Sequence, residues 1–358
     1  MLVLRPVRRS DLDALFDLAG QTGGGMTSFP PDRDILARRI ATSEASFARS
    51  TGDRPHDYFL FVLDDPQGDI NAGRAVGTAG IFAAVGMREP FYSYRLLHLT
   101  QVSRDPAKTV HTRLLQLTND YAGTTEVGTL FLAKAARSGG AGAFLSKSRF
   151  LMIAAHPHRF SDKVFAEIRG WVDDRGRSPF WEAVGRHFFD MDFQQADRIN
   201  SLGNQQFIAD LMPKFPLYTA VLPDAAQAVI GRPHDHAAAA KRMLEREGFR
   251  VAEAVDIFDA GPCLEAPVTA IQTIRHCRTA GWTEQADPAP HPRSADGPAG
   301  RIMVANTDMT RFRMALLDRP LPAPGGTLAL TADEARRLYL EPDDVLTVAP
   351  FKIEGVPE

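Results

Sequence analysis

The chain has 358 residues, 41 Lys plus Arg against 44 Asp plus Glu, a formal net charge of −3 and 44% hydrophobic residues. That balance leaves no basic footprint for nucleic acid or an anionic membrane surface, so any polyanionic ligand must be held by a local site. The two cysteines, Cys263 and Cys277, are too few for a disulfide framework or a zinc site, and no metal is expected. The length suits one large domain plus a smaller one.

The chain opens on Leu2-Val-Leu-Arg-Pro-Val7, read as an edge strand because Pro6 removes a donor. It has no signal-peptide character, and no run approaches the ~18 apolar residues of a membrane span, so a cytoplasmic protein is expected. Ser10 reads as the cap of a helix with the stripe Leu12, Leu15, Phe16, Leu18. The glycine-rich stretch Gln21–Pro30 reads equally as a turn or as a substrate-facing loop; no Lys follows at phosphate-loop spacing. A second helix is expected over 31–49. Asp57–Leu63 and Ala75–Phe82 read as a hairpin turning at Asp64–Gly68, with more β structure over 90–102 and 109–117.

The central stretch is Gly128-Thr-Leu-Phe-Leu132, an apolar strand, followed by Arg137-Ser-Gly-Gly-Ala-Gly142 and a helix to about His156. A strand feeding a glycine turn at a helix start makes an anion site: the backbone can approach the ligand and unpaired N–H groups point outward. A strand over 164–172, a helix capped by Ser178 and short helices over 188–222 follow. Phe180, Trp181, Phe188 and Phe189 read as core. Ile230–His236 reads as a loop, 237–247 as a helix ended by Gly248, and 249–258 as a strand. Residues 279–300 are rich in Pro, Ala and Gly and are expected to be a mobile loop. Strand-like segments at 301–305, 311–317, 326–330 and 343–348 surround a capping box, Thr331-Ala-Asp-Glu334.

Strand, then Arg-x-x-Gly-x-Gly with Arg137, Gly140 and Gly142, then helix, resembles the acyl-CoA pyrophosphate motif of the GNAT N-acyltransferases. A closer resemblance, to the arginine N-succinyltransferase family, runs in order through Thr22–Ser28, Gly128–Leu132, Leu145–Phe150, Ala166–Gly170 and Ser178–Trp181. It continues through Met191–Phe193, Phe207–Lys214 and Asp256–Phe-Asp259. The resemblance implies an α/β (α+β) GNAT-type acyltransferase domain over 1–262 and a small β-rich C-terminal domain over 263–358.

It also implies transfer of succinyl from succinyl-CoA to the α-amino group of L-arginine, the first step of arginine breakdown by succinylation. Ornithine or another amine as acceptor, or a non-catalytic half of a paired enzyme, are the alternatives. Partners implied are these small molecules and a homo-oligomer or paired-subunit oligomer.

Within the resemblance, Ile-Gly-x-x-His places a catalytic histidine at His234, with His236 two residues on. Histidine suits either direction of proton transfer, since it titrates near neutrality. Leu130 is the succinyl-CoA contact through its backbone. Arg137 is the phosphate partner, and the amides of Gly139, Gly140, Ala141, Gly142 and Ala143 form the cradle. Glu167, Asp190 and Asp192 are candidates for the guanidinium. Arg149, Lys147 and Arg169 are candidates for the succinyl carboxylate, and Met26 and Ser28 for the substrate entrance.

Overall fold

The computed structural model describes residues 1–23, 26–64, 74–201, 206–286 and 300–353. Its strands are β1 (Val3–Pro6), β2 (Tyr58–Asp64), β3 (Ala75–Phe82), β4 (Ser93–Ser103) and β5 (Lys108–Thr118). Next come β6 (Thr125–Leu132), β7 (Lys163–Glu167), β8 (Leu217–Tyr218), β9 (Arg250–Val255) and β10 (Pro262–Pro267). The last are β11 (Arg278–Glu284), β12 (Arg301–Asn306), β13 (Met314–Asp318), β14 (Thr327–Leu330) and β15 (Leu346–Pro350). All join one sheet in the order β14-β11-β15-β12-β13-β1-β2-β3-β6-β7-β10-β9-β4-β5-β8. Most neighbours are antiparallel, but β6 and β7, at the middle, are parallel.

Strand β2 shows why both faces of the sheet are covered. Its residues point alternately up and down. Phe59, Phe61 and Leu63 join the cluster of Phe144, Leu145 and Leu151 from α3 (residues 141–155 of the chain). Tyr58, Leu60 and Val62 join Leu15 and Leu18 of α1 (residues 12–20) and Leu36 and Ile40 of α2 (residues 33–48). A strand buried on both faces reads as a continuous apolar run, as Tyr58–Leu63 does. No helix among the described residues is long and apolar enough to cross a membrane.

The cap before α1 differs from expectation. Ser10 lies inside a short turn, and the carboxylate of Asp11 accepts the Arg8 amide at 2.8 Å while also pairing with Arg5 at 2.7 and 2.8 Å. A buried carboxylate with a guanidinium partner is the stronger acceptor there. The strand expected over 164–172 ends at Glu167, and beyond it the chain makes the isolated bridge Gly170–Pro233 rather than a continued ladder. Phe188 is exposed on a five-residue helix, whereas Phe180, Trp181 and Phe189 are buried as expected. Part of the expected loop is strand: Arg278–Glu284 pairs with both β14 and β15. Residues 287–299, like the turn over 65–68, lie outside the described residues.

The C-terminal β-rich segment extends the main sheet. β13 pairs with β1 through Val3–Ala315 and Leu4–Met314, and β10 lies between β7 and β9. Its apolar residues share the main core. Phe312 packs on Phe47 with ring centroids 6.2 Å apart, on Phe61 at 5.8 Å and on His156 at 6.1 Å. Phe312→Ala therefore removes a fully buried ring at the junction and is expected to cost ~3–5 kcal/mol. Urea unfolding followed by tryptophan fluorescence and by circular dichroism should show one coincident transition at lower denaturant. A second transition belonging to the C-terminal strands alone would contradict the shared core.

Candidate active site

The site forms where the parallel pair comes apart. β6 and β7 pair only through Thr125–Val164 and Glu126–Phe165. Beyond these, β6 stays with β3 and β7 stays with β10. Among the described residues, the side of Val127–Leu132 that β7 leaves has no strand partner, so its main-chain groups line the cleft between the parting strands.

A bulge sharpens the break. The register of β6 against β3 shifts between Thr78 and Gly80, and Thr129 adopts φ +52°. That is a rare conformation for a β-branched residue, and such strain collects at functional sites. It is held by the buried Thr129 hydroxyl, 3.2 Å from the Tyr58 hydroxyl and donating to the Ser28 carbonyl at 3.4 Å. Gly80 makes room for it, since a Cβ there would lie 2.9 Å from Thr129 Oγ1. The bulge turns the backbone at Leu130 away from a regular ladder.

At the far end of β6, the chain passes through a short turn to Gly139 (φ +58°) and Gly140 (φ +85°), which start α3. The Ala141 amide is spent on the Ser138 carbonyl at 3.0 Å. The amides of Gly139, Gly140, Gly142 and Ala143 take no acceptor among the described hydrogen bonds. Exposed Arg137, three residues before Gly140, folds back to donate through Nε to the Leu132 carbonyl at 3.1 Å. A helix start with unpaired amides and an adjacent guanidinium is suited to phosphate groups.

The loop that carries His234 clasps the continuation of β7. The His234 amide donates to the Arg169 carbonyl at 2.8 Å, and the Trp171 amide donates to the Arg232 carbonyl at 3.2 Å. The His236 amide donates to His234 Nδ1 at 3.1 Å. With Nδ1 engaged as an acceptor, the neutral ring carries its proton on Nε2. Burial, then Arg169 and His236, hold the His234 pKa below its ordinary value, so the neutral ring persists at neutral pH.

Carboxyl groups crowd the splay. Glu126 and Glu167 extend from adjacent strands: Glu126 pairs with Phe165, and Glu167 lies two residues further along β7. Burial pushes Glu126 up to about 7, opposed by Arg39. Burial, then Asp256, Glu126 and Asp259, push Glu167 well up, and its Oε1 is buried with no hydrogen-bond partner. Asp197 is pushed up to about 7 by burial and by Asp256, with Arg169 opposing.

Asp259 is a structural member of the group. Its carboxylate accepts the Gly170 amide at 2.7 Å and the Gly261 amide at 2.8 Å, tying β7 to the β9–β10 turn. Buried carboxyls that lack partners are stabilised by an incoming cation.

The predicted residues divide between these places. Ser28 and Glu126 both border Gly128: a Cβ there would lie 3.3 Å from Glu126 Oε1 and 4.0 Å from Ser28 Oγ. Arg39 holds that loop, donating to the carbonyls of Ser28 and Thr27. Met26 packs against the α1–α2 cluster, while Gly24 and Gly25 lie outside the described residues.

The structure does not bring Arg149 and Lys147 to the cleft. Arg149 is buried on α3, donating to Ser146 at 3.0 and 2.9 Å, and Lys147 pairs with Glu247 at 2.9 Å. Asp190 is exposed, and Asp192 accepts the Gln195 amide at the start of a helix. Arg169 does lie at the site, with Nε buried and unpartnered among the described residues. Sequence reasoning passed over Glu126, Asp197 and Arg39. The available signal was an acidic residue inside an apolar strand, Thr125-Glu-Val127.

Comparison with known proteins gives the family. The profile of a family described as arginine N-succinyltransferase beta subunit matches residues 2–273. The arginine N-succinyltransferase subunit beta of Pseudomonas aeruginosa is 40% identical over 358 residues, covering 99% of both chains. An arginine N-succinyltransferase of an Enterobacter species is 43% identical over 317 residues, covering 88% of this chain and 89% of that one. The solved structure of arginine/ornithine succinyltransferase subunit AI from Pseudomonas aeruginosa superposes with a TM-score of 0.86 at 32% identity, covering 99% of each chain. The chain belongs to the arginine N-succinyltransferase family.

Proposed function

We propose that this chain transfers succinyl from succinyl-CoA to the α-amino group of L-arginine, giving N-succinylarginine and coenzyme A. The observation that carries the reading is the splay itself, which joins an anion-binding turn at the end of β6 to unpartnered carboxyls at its root. An acyl-CoA fits the first half: the phosphates on the amides of Gly139, Gly140 and Gly142 with Arg137, the pantetheine along the open edge near Leu130. A dicationic amine fits the second half, because its charges offset the desolvation of Glu126 and Glu167. Glu167 receives the guanidinium, and Ser28 borders the same pocket.

The chemistry is direct attack. The ammonium of the amino acid gives a proton to the Glu126 carboxylate, whose pKa of about 7 suits a base at neutral pH. The amine then attacks the thioester carbonyl, forming the C–N bond and an oxyanion. A backbone amide near Leu130 and the Nε2–H of His234 are the donors for the developing charge. Collapse breaks the C–S bond, and the departing thiolate takes up the second proton, the one that the attacking nitrogen sheds as it becomes an amide. A covalent acyl-enzyme is disfavoured: burial, then Glu167 and Asp256, hold the Cys263 thiol well above its ordinary value, away from the reactive thiolate.

His234→Ala should lower kcat by ~10²-fold or more, the scale of one oxyanion donor, while coenzyme A binding by calorimetry stays nearly intact. Undiminished turnover removes His234 from the site. A succinylated protein trapped after incubation with succinyl-CoA alone would sink direct transfer.

The pH dependence follows from Glu126. Its basic form exists above its pKa, so kcat/KM should rise with pH through about 7 and level off above it. Glu126→Gln should abolish that limb. Arg39 opposes the upward shift, so Arg39→Met should move the midpoint to higher pH. A midpoint unmoved by both substitutions assigns the limb elsewhere.

A further inference from the structure

The glycine turn is held by the far end of the sheet. Arg301, the first residue of β12, donates from Nη1 to the Gly139 carbonyl at 2.8 Å. Its guanidinium lies over the Phe351 ring, 4.4 Å from the centroid. The Phe351 amide donates back to the Arg301 carbonyl at 2.9 Å, so the two residues form one closed unit. Gly140 sits against it: a Cβ there would lie 2.7 Å from Arg301 Nη2 and 2.9 Å from the Phe351 ring.

Besides Arg301, the turn is held by short-range bonds, Ala141 N–H to the Ser138 carbonyl at 3.0 Å and Phe144 N–H to the Gly140 carbonyl at 2.9 Å, and neither engages the Gly139–Gly140 peptide's own carbonyl. A Cβ on Gly139 would meet nothing within 4 Å. Behind it is a cavity of about 310 Å³, bordered by Met1, Leu2, Val76, Ser138, Gly139 and Arg301. A glycine pair over a cavity has many conformations open to it.

The consequence is geometric. A trans peptide sets its N–H opposite its C=O. Fixing the Gly139 carbonyl toward Arg301 therefore aims the Gly140 N–H to the opposite side, away from Arg301. We propose that Arg301, seated on Phe351, is a positioning residue for acyl-CoA: the C-terminal strands hold the Gly139–Gly140 peptide in its anion-binding orientation. This rests on the reading of the turn as the acyl-CoA phosphate site. It gives the C-terminal extension a part in donor binding, through the turn and without contact to the reacting atoms.

The test compares succinyl-CoA with succinyl-pantetheine, which carries the same thioester and no phosphate, in the full-length protein. Arg301→Ala should raise KM for succinyl-CoA by about tenfold, the scale of one charge-assisted hydrogen bond, with kcat far less affected. KM for succinyl-pantetheine should move much less. Arg301→Lys keeps a charged donor and should recover part of the loss, and Phe351→Leu should show a weaker form of the same selective defect.

Equal KM changes for both donors, or an unchanged KM for succinyl-CoA, overturn the inference. If Arg301→Ala does not fold, Arg301→Lys and Phe351→Leu decide by the same criterion. Wild-type protein with no preference for succinyl-CoA over succinyl-pantetheine would overturn the phosphate-site reading, and the inference with it. A wild-type preference that survives Arg301→Ala overturns the inference alone.

Discussion

Everything at the site depends on two strands that run parallel for two residue pairs and then part. Pairing through Thr125–Val164 and Glu126–Phe165 keeps the sheet continuous, and its loss beyond that point leaves one edge of β6 without a ladder. An unpaired edge inside a fold is ordinarily a liability, because its amides and carbonyls lack partners. Here it lies between two covered faces and offers hydrogen bonds to an extended ligand. The Thr129 bulge, the hydroxyl contact to Tyr58 and the space left by Gly80 keep it from closing.

The same parting sets the electrostatics. At the last paired position before the strands part, the Glu126 carboxyl is buried, and that burial raises its pKa to about 7. Glu167 lies on the other wall with an unpartnered oxygen. Two such groups cost stability in the empty protein and lower the cost of burying a cation. Functional sites commonly take this form, with local strain and desolvation held by a well-packed surrounding. That surrounding is the core on both faces of β2, together with the Asp259 carboxylate clamped between the Gly170 and Gly261 amides.

His234 illustrates how a residue's role can be narrowed by its neighbours. Its residue type left base and acid equally open. The amide of His236 on Nδ1 assigns the neutral ring's proton to Nε2 and so makes that nitrogen a donor. In the proposed mechanism the carboxyl that takes the amine proton is then a separate group, on β6.

The sequence alone determined most of the local elements, the glycine turn at the start of α3 among them. Strand Tyr58–Leu63 was legible because a both-faces-buried strand is a continuous apolar run, and the α3 start because positive φ needs glycine. The capping box at Thr331–Glu334 was legible for the same local reason, and the structure has it. Arg137 and the glycines sit within one short stretch, so their grouping needs no long-range knowledge.

Tertiary structure decided the rest. Glu126 becomes chemically distinctive only when the assembled sheet buries its carboxyl, and no spacing along the chain encodes that burial. Arg149 looked available as a surface cation on a helix, but the sheet buries that face and turns its guanidinium to Ser146. Arg301 lies more than 150 residues from Gly139, and only the sheet order that places β12 near the start of α3 brings them together. Local propensity acts over a few residues; charge, burial and strand pairing act through space, and those fix which of the many polar side chains form a site.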